Sequence, residues 1–235
     1  MRKRRVRWLV SLAGVVLAFL ASGVVREAPT RDDIAALLTY RVIDVLDIGR
    51  AESLDMAGQQ ALLSDIVQRV HASIGRLDPL QLGQPREPSD VLKAGTGVCF
   101  DRSRVIEKAA RLAGFETRRV FLLYGGWRQL LIPQTPSHTL VEAKTRRGWV
   151  FLGTLTPVSG FAPDGRVWSA HDLQGDVAIG SKHLVAYGWR EVLPRDFVPL
   201  YGLYSRHGGH YWPYTPMPDF SPQQVLQGML GDASS

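Results

Sequence analysis

The chain's single cysteine, Cys99, lies in "GTGVCFDRS" (95–103), where a helical pattern begins. A thiol at a helix N-terminus meets free backbone N–H groups and the positive end of the macrodipole, and both favour the thiolate. Gly95 and Gly97 allow the backbone to approach a substrate carbonyl closely. A thiolate nucleophile also needs a partner that moves its proton. His138 in "SHTLVEA" is the candidate, at the opening of a strand. On that strand Leu140 and Glu142 share its face, while Thr139, Val141 and Ala143 share the other. The competing reading makes Cys99 a space-filling core residue, since free cysteine is among the most buried residue types. On that reading His138 is an ordinary half-buried strand histidine.

These groups need elements to hold them. The apolar spacing predicts a helix from Thr30 to about Ile48 and another from Ser53 to Ile74. Pro and Gly then mark a loop between Arg76 and Asp90, with a short helix ending at Gly95. In "VCFDRSRVIEKAARLAGF", Val105, Ile106, Ala109, Leu112 and Ala113 form a buried stripe, and Gly114 suits the position just past a helix end. "TRRVFLLY" (117–124) reads as a strand. "SHTLVEAK" (137–144) and "GWVFLG" (148–153) read as a hairpin turning at Thr145–Gly148. Helices, then the cysteine helix, then antiparallel strands make an α+β pattern.

Taken together, the stretch from about 90 to 157 resembles the bacterial transglutaminase-like superfamily, whose fold is similar to that of papain-type cysteine proteases. "GTGVCFDRSRVIEKAARLAGFETRRVF" resembles its cysteine helix and following strand. "SHTLVEAKTRRGWVFLGTLTP" resembles its histidine strand and hairpin partner. The resemblance implies a cysteine at a helix N-terminus packed on an antiparallel sheet. It also implies a Cys-His-Asp triad in which Cys99 attacks an amide or thioester-like carbonyl, His138 transfers the proton, and a carboxylate holds the imidazole. The family pattern puts that carboxylate four residues after the hairpin Trp. Counting from Trp149, the position is Gly153. Three readings stay open: a Cys-His dyad, a carboxylate supplied by Asp164 or Asp172, or a degenerate site that only binds.

The first twenty-five residues, "MRKRRVRWLVSLAGVVLAFLASGVV", place basic residues before an uncharged apolar run. That is the pattern of a signal peptide or signal anchor (1–25), with the remainder on the extracytoplasmic or periplasmic side. The net charge of +6 is mostly this cluster, because Arg2, Lys3, Arg4, Arg5 and Arg7 supply five of it. The other basic residues form no stripe, so nucleic acid is not an expected partner. One cysteine excludes an internal disulfide. Residues 26–88 read as the helical N-terminal part of the domain, 89–160 as the transglutaminase-like core, and 161–235 as an aromatic, Pro-rich extension.

His207 and His210 in "SRHGGHYW" have ligand-like spacing, but acidic and sulfur partners are missing nearby and no metal is expected. No cofactor is expected either. Surface exposure is the default for Arg118 and Arg119, with burial of one beside the site as the alternative. Glu142 reads as a solvated strand residue, and Asp101 as a complement to the helix dipole. The expectation is an exported or membrane-anchored cysteine enzyme: an amidohydrolase, peptidase or acyl transferase on a peptide, protein or polysaccharide of the cell envelope. The alternatives are a degenerate binding module for peptide or polysaccharide in envelope or exopolysaccharide assembly, and a plain membrane-tethered scaffold.

Overall fold

The structure, a computed structural model, describes residues 23–125, 137–178, 182–191, 193, 196–204 and 219–230. The expected signal segment falls almost wholly outside these residues. No helix among the described residues is long and apolar enough to cross a membrane.

Helix α1 (Arg31–Thr39) opens on Thr30, which exchanges capping hydrogen bonds with Asp33. The expected continuation to Ile48 does not occur. Arg41 takes a left-handed backbone (φ 54°), and the Val42 N–H turns back to the Leu37 carbonyl at 2.9 Å. Two short 3₁₀ turns follow, at Val45–Asp47 and Arg50–Ser53. Helical periodicity persists there because Val42 and Ile43 still reach the core, although the chain no longer winds as one helix. Helix α2 (Met56–Ser73) is capped by Asp55, later than the expected start at Ser53. Helix α3 (Pro88–Ala94) ends where Gly95 adopts φ 62°.

Helix α4 (Cys99–Leu112) leads into strand β1 (Thr117–Tyr124), then β2 (Ser137–Thr145) and β3 (Gly148–Leu152). The later chain adds α5 (Ala170–Ala178), α6 (Lys182–Ala186), β4 (Phe197–Tyr201), the short pair β5 (Leu203–Tyr204) and β6 (Asp219–Phe220), and α7 (Pro222–Leu230). The sheet is antiparallel with order β3-β2-β1-β4, so the stretch from 161 onward supplies one of its four strands. The class is α+β.

Alternation along the strands gives the sheet two covered faces. Val141, Ala143, Val150 and Leu152 pack with Val105, Ile106, Ala109 and Ala110 of α4 and with α2. On the opposite face, Leu140, Val120, Leu122 and Phe151 pack with Ala170, Leu173, Leu184 and Trp189.

Helix α4 is buried from Asp101 to Ala110, charged residues included. Buried charges persist only when paired. Lys108 Nζ lies 2.6 Å from Asp33 and 2.5 Å from Glu87. Arg104 binds Glu87 at 3.0 Å and Glu107 at 3.1 Å, and Arg86 pairs with Asp101. Tyr204 donates to Glu107 at 2.5 Å, and Gln224 of α7 bonds both Tyr204 and the Arg119 N–H. Burial raises the Tyr204 phenol well above its ordinary value, and Glu107 adds to that, so the hydroxyl remains a donor.

Burial pushes the Asp33 and Glu87 carboxyls up, but their cationic and hydrogen-bonding partners outweigh it, and both end below the usual range. A carboxyl depressed in the folded state contributes stability above its unfolded pKa of about 4, and that contribution is lost as the pH falls through the folded value. Lys108→Ala leaves the buried Asp33 carboxylate without its cation and the half-buried Glu87 with only Arg104, and we expect a loss of about 3 kcal/mol at pH 7 by urea denaturation. Because acid neutralises those carboxyls, the gap between wild type and variant should narrow at pH 3.

Candidate functional site

The two residues singled out as a catalytic pair lie on packed neighbouring elements, α4 and β2. Cys99 is the first residue of α4, half-buried. Gly97 lets the chain turn into the helix there, since a Cβ at 97 would stand 2.8 Å from Asp101 Cβ. Asp101 has a more specific job than favouring the dipole: it is fully buried and its carboxylate accepts from the Val98 N–H at 3.0 Å. The Cys99 sulfur lies against the backbone amides of Thr139 and Phe100 and in the field of Arg119. Burial pushes the thiol up more than these groups pull it down, so it is protonated at neutral pH.

His138 follows the strand's alternation. Thr139 turns to the α4 side with Val141 and Ala143; His138 shares the other face with Leu140 and Glu142. It is 3% exposed, and its Nε2 has no hydrogen-bond partner among the described residues. Burial alone lowers its pKa to about 4. At pH 7 both groups are therefore neutral, and no hydrogen bond joins thiol to imidazole in this structure.

The third position is occupied by backbone. A Cβ on Gly153 would meet the Thr156 carbonyl oxygen at 2.5 Å and the Val158 carbonyl oxygen at 2.9 Å. Asp172 caps α5 by accepting from the Ser169 N–H and hydroxyl at 2.8 and 2.7 Å. Asp164 is exposed and bound to Arg166 at 2.7 Å. Neither orients His138.

Four residues around the sheet, Arg118, Arg119, Glu142 and His71, differ from or escape the expectations drawn from the sequence. Arg118 and Arg119 are both buried, not exposed. Arg119 lies on the α4 face, donating to the Phe100 carbonyl at 3.1 Å. Arg118 lies on the other face, 2.6 Å from Glu142, so that residue is a buried ion partner and not a solvated one. His71 of α2 sits at the end of β3. Arg102 donates to its Nδ1 at 2.8 Å, which leaves Nε2 as the protonated nitrogen, 3.4 Å from the Gly153 carbonyl. The signal for Arg118 and Arg119 was their place in a strand buried on both faces. Nothing local in the sequence marks His71.

Residues 51–154 match the family model described as Transglutaminase-like superfamily. This segment is similar to the transglutaminase-like superfamily. It runs from the second 3₁₀ turn through β3, holds both Cys99 and His138, and leaves β4 and α5–α7 outside the match. No curated protein and no solved structure matches the chain. Among the described residues, no cluster of three or more His, Cys, Asp or Glu could hold a metal. His207 and His210 lie outside the described residues.

Because this segment has no space at 153, introducing the Asp of the family pattern should not build a triad. Gly153→Ala and Gly153→Asp should each lower stability by about 1–3 kcal/mol, the usual cost of overpacking, in urea titrations.

Proposed function

We propose that this transglutaminase-like domain is a catalytically degenerate binding module for peptide or polysaccharide at the cell envelope. The observation that carries this reading is the filled position at Gly153, together with a His138 ring whose Nε2 has no partner among the described residues and a thiol held protonated. Orienting and polarising the histidine is worth orders of magnitude in such triads. The family match supports a papain-like fold. The basic-then-apolar sequence of 1–25 supports export or membrane anchoring.

A second reading keeps the domain an enzyme, a hydrolase or acyl transferase using Cys99 and His138. What favours it is the sulfur's place at a helix N-terminus against the Thr139 amide and near Arg119. It requires the His138 ring to reach the sulfur when substrate binds.

Alkylation kinetics separate the two. Iodoacetamide at pH 7 should label Cys99 no faster than an unstructured cysteine peptide, and His138→Ala should leave that rate unchanged. Fast labelling that His138→Ala abolishes would establish the enzyme instead.

A further inference from the structure

The sheet face away from Cys99 carries a second feature that the proposed function does not use. A cleft of about 740 Å³ opens over its lower end, within the roughly 300–1,000 Å³ usual for ligand sites. It continues, through Arg147 and Asp172, into a neighbouring cleft of about 560 Å³.

Arg118, Lys144, Arg146 and Arg147 line the larger cleft together with Asp172, and Arg118 is already paired with Glu142. Arg146 donates to the carbonyls of Leu54 and Glu52 at 2.9 and 3.0 Å, and Arg147 donates to the Gly165 carbonyl. Carbonyls hold these side chains in place without cancelling their charge. Among the described residues no carboxylate lies within ion-pair distance of either guanidinium. Lys144 is half exposed, 3.3 Å from Glu116 on the rim. Further hydrogen-bonding side chains line it as well: Thr145, Ser169, His171 and Gln227.

The mixture narrows the ligand. A cleft that keeps the guanidinium charge of Arg146 and Arg147 among other donors and acceptors complements a chain of acidic sugars, whose carboxylates need cations and whose hydroxyls need paired hydrogen bonds. Nucleic acid fits less well, because base stacking needs open ring faces. Arg118 lies 4.0 Å from the Trp149 centroid and 4.3 Å from that of Tyr201, and Trp168 is flanked by His183 and Arg166. A peptide would dock by adding a strand, but the outer edge of β3 is taken. Phe151 and Gly153 bond to Trp168, Val158 and Gly160.

We infer that this cationic cleft binds an anionic saccharide, a uronate-bearing glycan chain, and that it does so whether or not Cys99 reacts. Lys144 and Arg147 are its carboxylate-binding residues.

The test uses the full-length chain in a mild detergent and isothermal titration calorimetry at low salt. The probes are a hexamer of galacturonic acid, the uncharged hexamer of galactose, inorganic phosphate, poly-glutamate and single-stranded DNA. The uronate hexamer should bind. Lys144→Ala and Arg147→Ala should each weaken it by roughly ten-fold, the loss of one charge-assisted contact, and added salt should weaken it further. Both variants should unfold at the wild-type temperature, since Lys144 is half exposed and Arg147 anchors only to a loop. The inference fails if the uncharged hexamer binds equally well, if the variants bind like wild type, or if phosphate displaces the hexamer at equal concentration. It also fails if poly-glutamate or DNA binds more tightly. None of these results bears on the alkylation rate of Cys99, so this inference and the proposed function can fail separately.

Discussion

The ammonium of Lys108, closed between Asp33 and Glu87, ties together elements that are distant in sequence. Asp33 belongs to α1, Glu87 caps α3, and Lys108 is in the middle of α4. An apolar contact among these helices would tolerate sliding. Two short charge-assisted bonds in a buried setting do not, because any slip leaves a charge without water or partner. Arg104 shares Glu87 and extends the same network to Glu107 and Tyr204. Helix α4 is thereby fixed in rotation as well as position, and its first residue is delivered to the Thr139 backbone. The location of Cys99 is set by charges up to nine residues further along the same helix.

That placement separates two things which the family pattern joins. The helix brings a sulfur to the edge of β2, while the pleat of β2 sends the next side chain, His138, to the opposite face. Each is then neutralised by its own surroundings: burial raises the thiol and lowers the imidazole. The turn at 154–158 folds back over Gly153 and occupies the space where an acid would stand. The turn therefore leaves no room for a side chain at 153. The same sheet, seen from its other side, presents cations held by carbonyls.

Much of this architecture was legible because it rests on local patterns. The bounds of β1, the hairpin from Thr145 to Gly148, the start of α4 at Cys99 and the end of α3 at Gly95 all follow from periodicity and glycine placement. The break in α1 was not legible: Arg41 adopts a left-handed backbone that its residue type does not announce. Burial of Arg118, Arg119 and Glu142 was also missed. A charged residue in a strand reads as exposed unless its partner, twenty or more positions away, is already known. His71 was invisible for the same reason, since Arg102 and Gly153 define its surroundings.

Gln224 sits in the last helix described, yet it bonds the Arg119 N–H and the Tyr204 hydroxyl, which in turn holds Glu107. The polar interior around the cysteine helix is therefore completed by residues about a hundred positions further along the chain. Contacts spanning more than a hundred positions carry a large loop-closure penalty before they return any energy, and folds rich in them form slowly. The chain cannot assemble its interior progressively from the N-terminus; until α7 docks, Glu107 stays only partly matched. Closure of that network waits on a contact that only long-range folding supplies.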